Sequence, residues 1–422
     1  MKYALGNMLN GAGGLNADGL SLDLQFATDK ALTARKGPTP VFTRASTATF
    51  VGSNGLIQSA AINAARFDHD PVSPFACKGL LIEESRTNLI IQSEDFSIAW
   101  TTARASISVN QTASPTGATT ADKLITDTSV SNNHRVDKVS VSLSLNTVYT
   151  FSVYAKAGEY SGLALGVGIA VSQLVDYSLT GAGSVTRTSA GASGTIQRLS
   201  DGWYRCTCTF TSDLALGSHR ACVFIGQSGT VFTYTGDGTS SISIWGAQLE
   251  AGAFPTSYIP TVAASVVRSA DVCSITGTDF NTVYNESEHT LFAEASGMSH
   301  TGFPSYLSFD NSTAAEQSAL AGYPSTNRVG CIESDGGSTF AAVLINVTLG
   351  QNNKMAAAMK LNSFQLSLNG ALGTEDTSGT MSTATSLKIG RNWQSVVLSG
   401  TYKQVKVFKK RLPNAKLQTL TT

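Results

Sequence analysis

The sequence predicts an all-β protein in which two antiparallel β-sandwiches follow an irregular N-terminal segment. Short runs of alternating apolar and polar residues recur through residues 96–422, separated by Gly, Ser and Asn turns. The 422 residues include 51 Ser, 48 Thr and 39 Gly, and all three residue types disfavour helix interiors. The length allows two or three domains of roughly 100–200 residues each.

Residues 1–95 form the predicted N-terminal segment, which holds four of the ten prolines. The alternation from Leu20 to Phe26 predicts one strand with its leucines and Phe26 buried. Asn54-Gly55 predicts a small hairpin. Because the segment lacks the periodicity for a core of its own, we expect it to dock on a partner or to pack between subunits.

Residues 96–262 form the first predicted sandwich, with about eight short strands joined by turns. In the run Thr147–Lys156, Phe151 and Val153 face one way and Tyr154 faces the other. Trp203 lies on the face opposite the apolar side chains that follow it, which are Tyr204, Cys206, Cys208 and Phe210. The two prolines of residues 253–260 predict an extended linker at the end of this sandwich.

Residues 263–422 form the second predicted sandwich. Strand-like runs include Thr290–Ala295, Phe340–Val347, Ser363–Leu368 and Thr401–Phe408. Asn369-Gly370 predicts a tight hairpin turn. The leucine spacing from Leu412 to Leu420 predicts one short helix at the C-terminus.

The charge balance argues against binding to nucleic acid or to an anionic membrane. Twenty-nine basic residues balance 29 acidic ones, and both partners require a basic excess. Met1 to Gly14 shows no signal-peptide core, and no apolar run approaches the roughly 20 residues of a membrane helix. We expect a protein made in the cytoplasm that acts outside the cell after release in an assembled particle.

The six cysteines are predicted to be reduced and mostly buried. Cys206 and Cys208 lie two residues apart on a strand, a spacing too wide for a disulfide bond. No paired cysteines or histidine clusters have the spacing of a zinc site, so no cofactor is expected.

No catalytic constellation is found. Glu83 and Glu84 are adjacent and would point to opposite faces of a strand, so they cannot act on one substrate, and Glu84 is expected to pair with Arg86 or another cation. Asp68, His69 and Asp70 precede Pro71 and favour a hydrogen-bonded turn over a metal or triad fragment. Gly11-Ala12-Gly13-Gly14 lacks the flanking strand and Lys of a phosphate loop.

Several stretches resemble bacteriophage tail and other virion structural proteins. The first two are Phe42–Val51 followed by Ala65–Pro71, and Gly79–Leu89 followed by Ser93–Phe96 and Trp100. Asp201–Arg205, Ile244–Glu250 and Thr256–Thr261 resemble the jelly-roll, carbohydrate-binding-module-like domain that follows in such proteins. Leu366–Gly370 and Val405–Pro413 are similar to laminin-G/concanavalin-like domains.

The resemblance implies a jelly roll followed by a lectin-like sandwich in a multimeric particle component. Other virion proteins, a homo-oligomer (a trimer by resemblance) and host-surface polysaccharide are the implied partners. Within the N-terminal segment, the candidates for assembly contacts are Arg44, Asp68, His69, Asp70 and Arg86.

Aromatic side chains are the candidates for sugar stacking. They are Tyr154, Trp203, Trp100 and Tyr177, together with Tyr160, and Tyr154 is predicted to be the most exposed. Burial in a core is the favoured interpretation for Trp203 and Trp245, and subunit contact and plain exposure are the alternatives for Tyr154.

Two further charge features are interpreted as structural. Calcium binding needs converging oxygens, and Asp310-Asn311, Asp335 and Glu375-Asp376 lack a recognisable spacing. The basic residues Lys403, Lys406, Lys409, Lys410 and Arg411 are predicted to form the solvated face of a final strand, with anionic-glycan contact as the alternative.

Three functions remain after these exclusions. The first is a non-enzymatic tail-fibre or tail-associated virion protein that recognises host polysaccharide. The second is a capsid-decorating or baseplate protein that only braces its neighbours. The third is a polysaccharide-degrading tail enzyme, which would need a carboxylate pair in a cleft.

Overall fold

The computed structural model of the chain describes residues 18–168, 173–212, 219–298, 302–313, 315–323 and 327–422. The expectations for Met1 to Gly14, including the glycine run, lie outside these residues. Across the described ranges the chain forms 31 strands, three short helices and one 3-10 turn, and the strands pair in antiparallel sheets. The predicted all-β class is therefore confirmed. No helix among the described residues is long and apolar enough to span a membrane.

The first elements come from the predicted N-terminal segment. They are β1 (Leu20–Leu24), α1 (Phe26–Asp29), β2 (Val41–Thr43), β3 (Ala48–Val51), β4 (Ile57–Ala60), β5 (Phe67–His69), β6 (Cys77–Ile82) and β7 (Arg86–Asn88). As predicted, β1 buries Leu20, Leu22 and Leu24, and β3 and β4 form a hairpin around Asn54-Gly55.

The middle elements form the first sandwich. They are β8 (Thr101–Ala103), β9 (Ala105–Ala113), β10 (Thr119–Thr126), β11 (His134–Val141), β12 (Val148–Ala157), β13 (Gly162–Gly168), β14 (Gln173–Ser178), β15 (Ser184–Thr188), β16 (Ala192–Arg198), the 3-10 turn Ser200–Gly202, β17 (Trp203–Thr211), β18 (His219–Gly226) and β19 (Ser241–Ala251). One sheet has the strand order β16-β17-β12-β19-β10-β9 and is called the joint-facing sheet here, because its outer face lies towards the second sandwich. The opposite sheet has the order β15-β14-β13-β18-β11-β8.

The last elements complete the second sandwich. They are β20 (Val266–Arg268), β21 (Val272–Thr276), α2 (Gly277–Val283), β22 (Glu288–Ala295), β23 (Ser305–Asp310), β24 (Gln317–Tyr323), β25 (Arg328–Asp335), β26 (Ser338–Asn346), β27 (Asn353–Lys360), β28 (Ser363–Leu368), β29 (Ala371–Leu372), β30 (Ser386–Ile389), β31 (Gly400–Phe408) and α3 (Asn414–Thr421). The terminal helix α3 confirms the prediction from the leucine spacing. Asn369 and Gly370 both have positive φ, 48° and 82°, as a type I′ hairpin between β28 and β29 requires.

The second sandwich includes strands from both ends of the chain. Its eight-stranded sheet has the order β29-β28-β27-β22-β31-β6-β5, and β1 also pairs with β31. Its seven-stranded sheet has the order β2-β21-β30-β23-β24-β25-β26. The N-terminal segment therefore docks on its own chain, and the sheets cross the predicted sequence boundaries at residues 95 and 262.

Each sandwich has its own apolar core. In the first, Phe151 and Cys206 of the joint-facing sheet pack against Leu165 and Tyr177 of the opposite sheet. In the second, N-terminal residues such as Leu22 and Ile82 lie in the same buried cluster as Leu307 and Val405. The N-terminal strands contribute apolar side chains to a core that they could not form alone.

Candidate functional site

A buried group of charged residues connects the two sandwiches. It contains Arg44, Arg66, Arg268, Glu83 and Asp271 and is called the arginine cluster here. The Arg66 guanidinium donates to Glu83 Oε2 at 2.7 Å and to Asp271 Oδ2 at 2.5 Å. Arg44 Nη1 reaches Asp271 Oδ1 at 3.2 Å, and Arg268 Nη1 lies 3.5 Å from Glu83 Oε2. Four separate stretches of the chain thus meet at one point.

The Glu83 carboxylate of this cluster is held in its charged form. Burial alone raises the pKa of Glu83, but Arg268, Arg66 and the hydrogen bonds from Ser257 outweigh it and hold that pKa at about 2. Three guanidinium groups face two carboxylates, and backbone carbonyls share the remaining positive charge. Arg44, for example, donates to the carbonyls of Ser46, Ala61 and Ala64.

The linker after the first sandwich closes over this cluster. Ser257 donates its N–H to Glu83 Oε1 and its hydroxyl to Glu83 Oε2. Thr256 donates to Glu250, and the Ile259 N–H donates to Gln248 at 2.7 Å. Several of the stretches that carry the resemblance therefore meet in a hydrogen-bonded joint, which we define as the arginine cluster together with residues 248–259.

The residues predicted for assembly make contacts within the chain. Arg44 belongs to the arginine cluster, and Asp68 pairs with Lys78 at 2.7 Å. His69 is buried with Nδ1 at 3.2 Å from the Val51 carbonyl oxygen. Asp70 is exposed and accepts the Val72 N–H, as the predicted turn requires. Arg86 pairs with Glu84, as predicted, and its guanidinium lies 5.1 Å from the Phe254 ring centroid.

The aromatic candidates do not present open ring faces. Trp100 and Tyr177 pack into the core of the first sandwich, with exposures of 8% and 0%. Tyr177 donates its hydroxyl to the Thr207 carbonyl, and Trp100 donates its indole N–H to the Gln92 carbonyl. Tyr160 is partly buried against Tyr234. Sugar stacking on Trp100 or Tyr177 would require the core to open.

Tyr154 and Trp203 point away from the core, as predicted, but another layer covers them. They pack with Trp245, Tyr258 and Ile57 in what we call the aromatic cluster. Tyr154 is only 4% exposed and Trp203 only 2%, so the predicted exposure of Tyr154 is wrong. The hairpin of β3 and β4 supplies Ile57, and the linker supplies Tyr258. Local alternation could not reveal this cover because both pieces come from distant parts of the sequence.

A cleft of about 520 Å³ opens beside the aromatic cluster, between the two sandwiches. The outer face of β12, β16 and β17 forms one wall, with Ser193, Thr195 and Arg205 among its lining residues. Ser296 and Thr401 of the second sandwich line the other side. The linker contributes Phe254 and Ser257 at the end nearest the joint.

The first-sandwich wall is a regular array of polar side chains, called the polar face here. Strand pairing places Tyr154, Arg205 and Gln197 in one row across β12, β17 and β16. The next two rows are Ser152, Thr207, Thr195 and then Thr150, Thr209, Ser193. Alternate residues on a strand are about 7 Å apart, so the three rows extend over about 14 Å. Ser193, Thr195 and Gln197 are exposed and supply hydroxyl and amide groups to the cleft.

Two acidic residues line the described part of the cleft, and both already have partners. Asp68 accepts from Lys78 and from the Val51 N–H, at 2.7 and 2.9 Å. Glu83 belongs to the arginine cluster. Arg205, in contrast, has no carboxylate within ion-pair distance among the described residues.

The residues considered for calcium and anions are engaged elsewhere. Asp310 pairs with Lys388 at 2.6 Å, and Glu375 pairs with Arg411 at 2.8 Å. Lys403 and Lys406 lie 3.6 and 4.0 Å from Glu294 and Asp23, so acidic neighbours partly neutralise the basic strand. No group of three or more metal-ligating side chains occurs within the described ranges.

Sequence reasoning missed Arg205, Ser193, Thr195 and Gln197 as members of one surface. Arg205 lies two residues after Trp203, and that spacing places both on the same face of β17. The signal was thus present in the sequence, but the neighbouring strand β16 and the opposite wall could not be assigned from it.

No protein-family model and no curated protein matches the chain. Solved structures with partial similarity include the CBM40 of Ruminococcus gnavus IT-sialidase bound to alpha2,3 sialyllactose. That match has 15% identity, covers 34% of this chain and 88% of the other, and has a TM-score of 0.30. Mouse laminin alpha1 domains LG4-5 match at 9% identity over 67% and 92% of the two chains, with a TM-score of 0.23. The CBM22-1-CBM22-2 tandem of Paenibacillus barcinonensis Xyn10C matches at 9% identity over 76% and 97%, with a TM-score of 0.24. Similarities at this level do not assign a function.

Proposed function

We propose that the protein is a non-enzymatic carbohydrate-binding component of a bacteriophage particle that recognises host-surface polysaccharide through the cleft between its sandwiches. The observation that carries the proposal is the polar face, where exposed Ser193, Thr195 and Gln197 line a cleft of about 520 Å³. Hydroxyl and amide groups bond sugar hydroxyls, and the cleft volume lies within the range of small-molecule sites.

The chemistry of the cleft supports binding without turnover. Glycoside hydrolysis uses a pair of carboxyl groups, one of which keeps a raised pKa in order to donate a proton. Asp68 is neutralised by Lys78, and the Glu83 pKa is held at about 2. The low pKa of Glu83 is the opposite of what a general acid needs, and the Asp68 carboxylate is engaged in an ion pair.

The particle setting rests on the resemblance of the quoted stretches to tail proteins. Several of these stretches supply residues to the joint, so part of the resemblance concerns how two sandwiches are held together. Rigid coupling suits a tail component that must hold a binding cleft in a fixed orientation. A trimer, other virion proteins as partners and location in the virion are part of this proposal.

A glycan array probed with the full chain, presented multivalently, tests the binding function. Ser193→Trp should fill the cleft and abolish binding, because Ser193 is exposed on the cleft wall. Ser106→Trp places the same side chain on exposed β9, at the far edge of the same sheet, and should bind normally. Absence of binding by the unmodified chain to any host polysaccharide would reject the proposal.

The second candidate function is structural: the protein would only brace its neighbours in the particle. The extent of the joint between its own two sandwiches favours this function. Arg44 among the assembly candidates, and several of the resembling stretches, hold the two sandwiches of the chain together. Electron microscopy of the assembled particle separates the two functions. A receptor-binding protein should have its cleft open to the exterior, whereas a bracing protein should have the cleft covered by a neighbour.

A further inference from the structure

We propose that the cleft selects an acidic saccharide and that Arg205 pairs with the sugar carboxylate. This inference rests on the proposed binding function and specifies its ligand. Arg205 lies in the first row of the polar face, between Tyr154 on β12 and Gln197 on β16.

The surroundings of Arg205 distinguish it from the arginines of the joint. Arg44, Arg66 and Arg268 each have a carboxylate partner within 4 Å. Among the described residues Arg205 makes one hydrogen bond, from Nη2 to the Ser152 hydroxyl at 3.1 Å, and no ion pair. A guanidinium in a cleft with this donor capacity left over is suited to receive an anion.

The guanidinium is also held in a defined orientation. Its central carbon lies 5.3 Å from the Tyr154 ring centroid, and Tyr154 is fixed in turn by Trp245 and Tyr258. A guanidinium that is already positioned loses little freedom on binding and can form two parallel hydrogen bonds to a planar carboxylate. The aromatic cluster thus acts as a support for the binding group and does not stack on the sugar.

The rest of the cleft fits an uncharged continuation of the same saccharide. Thr195 and Ser193 follow in the next two rows, where they can bond sugar hydroxyls. Among the described residues that line the cleft, Lys78 is the other cation, and it forms an ion pair with Asp68. Arg205 is therefore the residue that recognises the negative charge of the saccharide, and the other two rows of the polar face add hydrogen bonds from uncharged side chains.

The first test uses the unmodified protein and a matched pair of ligands. A uronic-acid polysaccharide is compared by biolayer interferometry with the same polymer after its carboxyl groups have been reduced to alcohols. The acidic form should bind at least about ten-fold more tightly, as expected for a charge-assisted pair. Sulfated dextran and unmodified dextran form a second pair of ligands. We expect sulfated dextran to bind more weakly than the uronic-acid polysaccharide of the first pair. Equal binding of the carboxylate and its reduced form would overturn the inference, as would preference for the sulfated polymer.

The second test removes the cation. Arg205→Gln should lower affinity for the uronate at least about ten-fold and leave the weak binding of the reduced polymer unchanged. Arg205→Lys should recover only part of the loss, because an ammonium cannot form the parallel pair, and full recovery would overturn that geometry. Arg220→Gln on the opposite sheet makes the same change at a half-exposed site and should bind as the unmodified protein does.

The results separate failure of this inference from failure of the proposed function. If the chain binds neutral and acidic polymers equally, the cleft still binds saccharide and the role of Arg205 is wrong. If it binds no saccharide, the proposed function itself fails. Melting temperatures of the variants identify any loss of binding that comes from unfolding.

Discussion

Arg66 donates to Asp271 at 2.5 Å although 205 residues separate them in sequence. Asp271 also contacts Arg44 and accepts the Glu83 N–H at 2.8 Å, so one carboxylate satisfies donors from three stretches of chain. Asp271 therefore connects the N-terminal segment to the start of the second sandwich.

Replacing Asp271 by Asn should strongly destabilise the protein. The substitution leaves two buried guanidinium groups with one carboxylate fewer, and removing one partner of a buried pair costs about 3–5 kcal/mol. Urea unfolding should show that loss. Asp29→Asn provides the control, because Asp29 forms an exposed pair with Arg35 and exposed pairs contribute about 0–1 kcal/mol. Equal effects of the two substitutions would contradict the role of the joint.

Burial of His289 should make the fold sensitive to acid between pH 6.5 and about 4. Burial lowers the His289 pKa from 6.5 to about 4, although its hydrogen bond to the Asn285 carbonyl acts in the opposite direction. The unfolded chain binds a proton below pH 6.5 while the folded chain does not. The stability from this group is therefore full above pH 6.5 and is lost as the pH falls towards 4.

His289→Phe should flatten the stability profile in that range. Phe fits the neighbouring rings of Tyr284 and Phe309, and loss of the hydrogen bond should cost about 1 kcal/mol at neutral pH. Urea unfolding at a series of pH values measures the slope. An unchanged slope between pH 6.5 and 4 would contradict a neutral buried His289.

Glu333 is a buried acid with no cation within ion-pair distance among the described residues, and its effect on stability should have the opposite pH dependence. Burial raises its pKa from 4.5 to about 7, although hydrogen bonds from Ser382 and Ser318 lower it. The folded form holds the proton more tightly than the unfolded form does. Stability is therefore greatest below pH 4.5 and falls as the pH rises towards 7, by on the order of 3 kcal/mol.

Glu333→Gln should remove this loss and stabilise the protein above pH 7. The Gln carbonyl can still accept the Ser382 N–H that Glu333 Oε1 accepts at 2.6 Å. Glu286→Gln changes an exposed acid before β22 and should leave the melting temperature within experimental scatter. A lower melting temperature for Glu333→Gln at alkaline pH would contradict the assignment.

The cover over the aromatic cluster should contribute to stability. Ile57 is buried against aromatic side chains of the first sandwich, and truncating a buried Ile to Ala costs about 2–5 kcal/mol. Ile57→Ala should therefore lower the free energy of unfolding by at least about 2 kcal/mol. Ile62→Ala, close by in sequence at an exposed position, should change it by less than about 0.5 kcal/mol. Similar losses for both variants would show that the cover adds no stability.

Local alternation was sufficient to predict much of the fold. It placed Phe151 in a core and Tyr154 and Trp203 on the other face, and turn chemistry located the hairpins at Asn54 and Asn369. It could not predict that β1 pairs with β31, because strand partners at opposite ends of a chain leave no local signal.

The candidate site was less accessible to sequence reasoning for the same reason. The aromatic residues were chosen for their chemistry, but their exposure depends on Ile57 and Tyr258, which approach from other segments. Arg205 was visible in the sequence as one cation among 29. Its lack of a carboxylate partner among the described residues is a property of the assembled cleft.

Thiol reactivity should report the burial of the cysteines. All six are free; five are buried, and Cys77 at the start of β6 is partly exposed. Burial raises the pKa of the Cys77 thiol, and it raises the pKa of the Cys208 thiol to about 12. The reactive thiolate form is therefore scarce at both residues, and the access of the reagent to each sulfur decides which thiol reacts first. Ellman's reagent at about pH 8 should therefore label the native chain slowly at Cys77 alone. The other five thiols should react after unfolding in guanidinium chloride. Cys77→Ser should remove the native reaction and Cys222→Ser should leave it intact, whereas rapid labelling of several native thiols would contradict the packing of both cores.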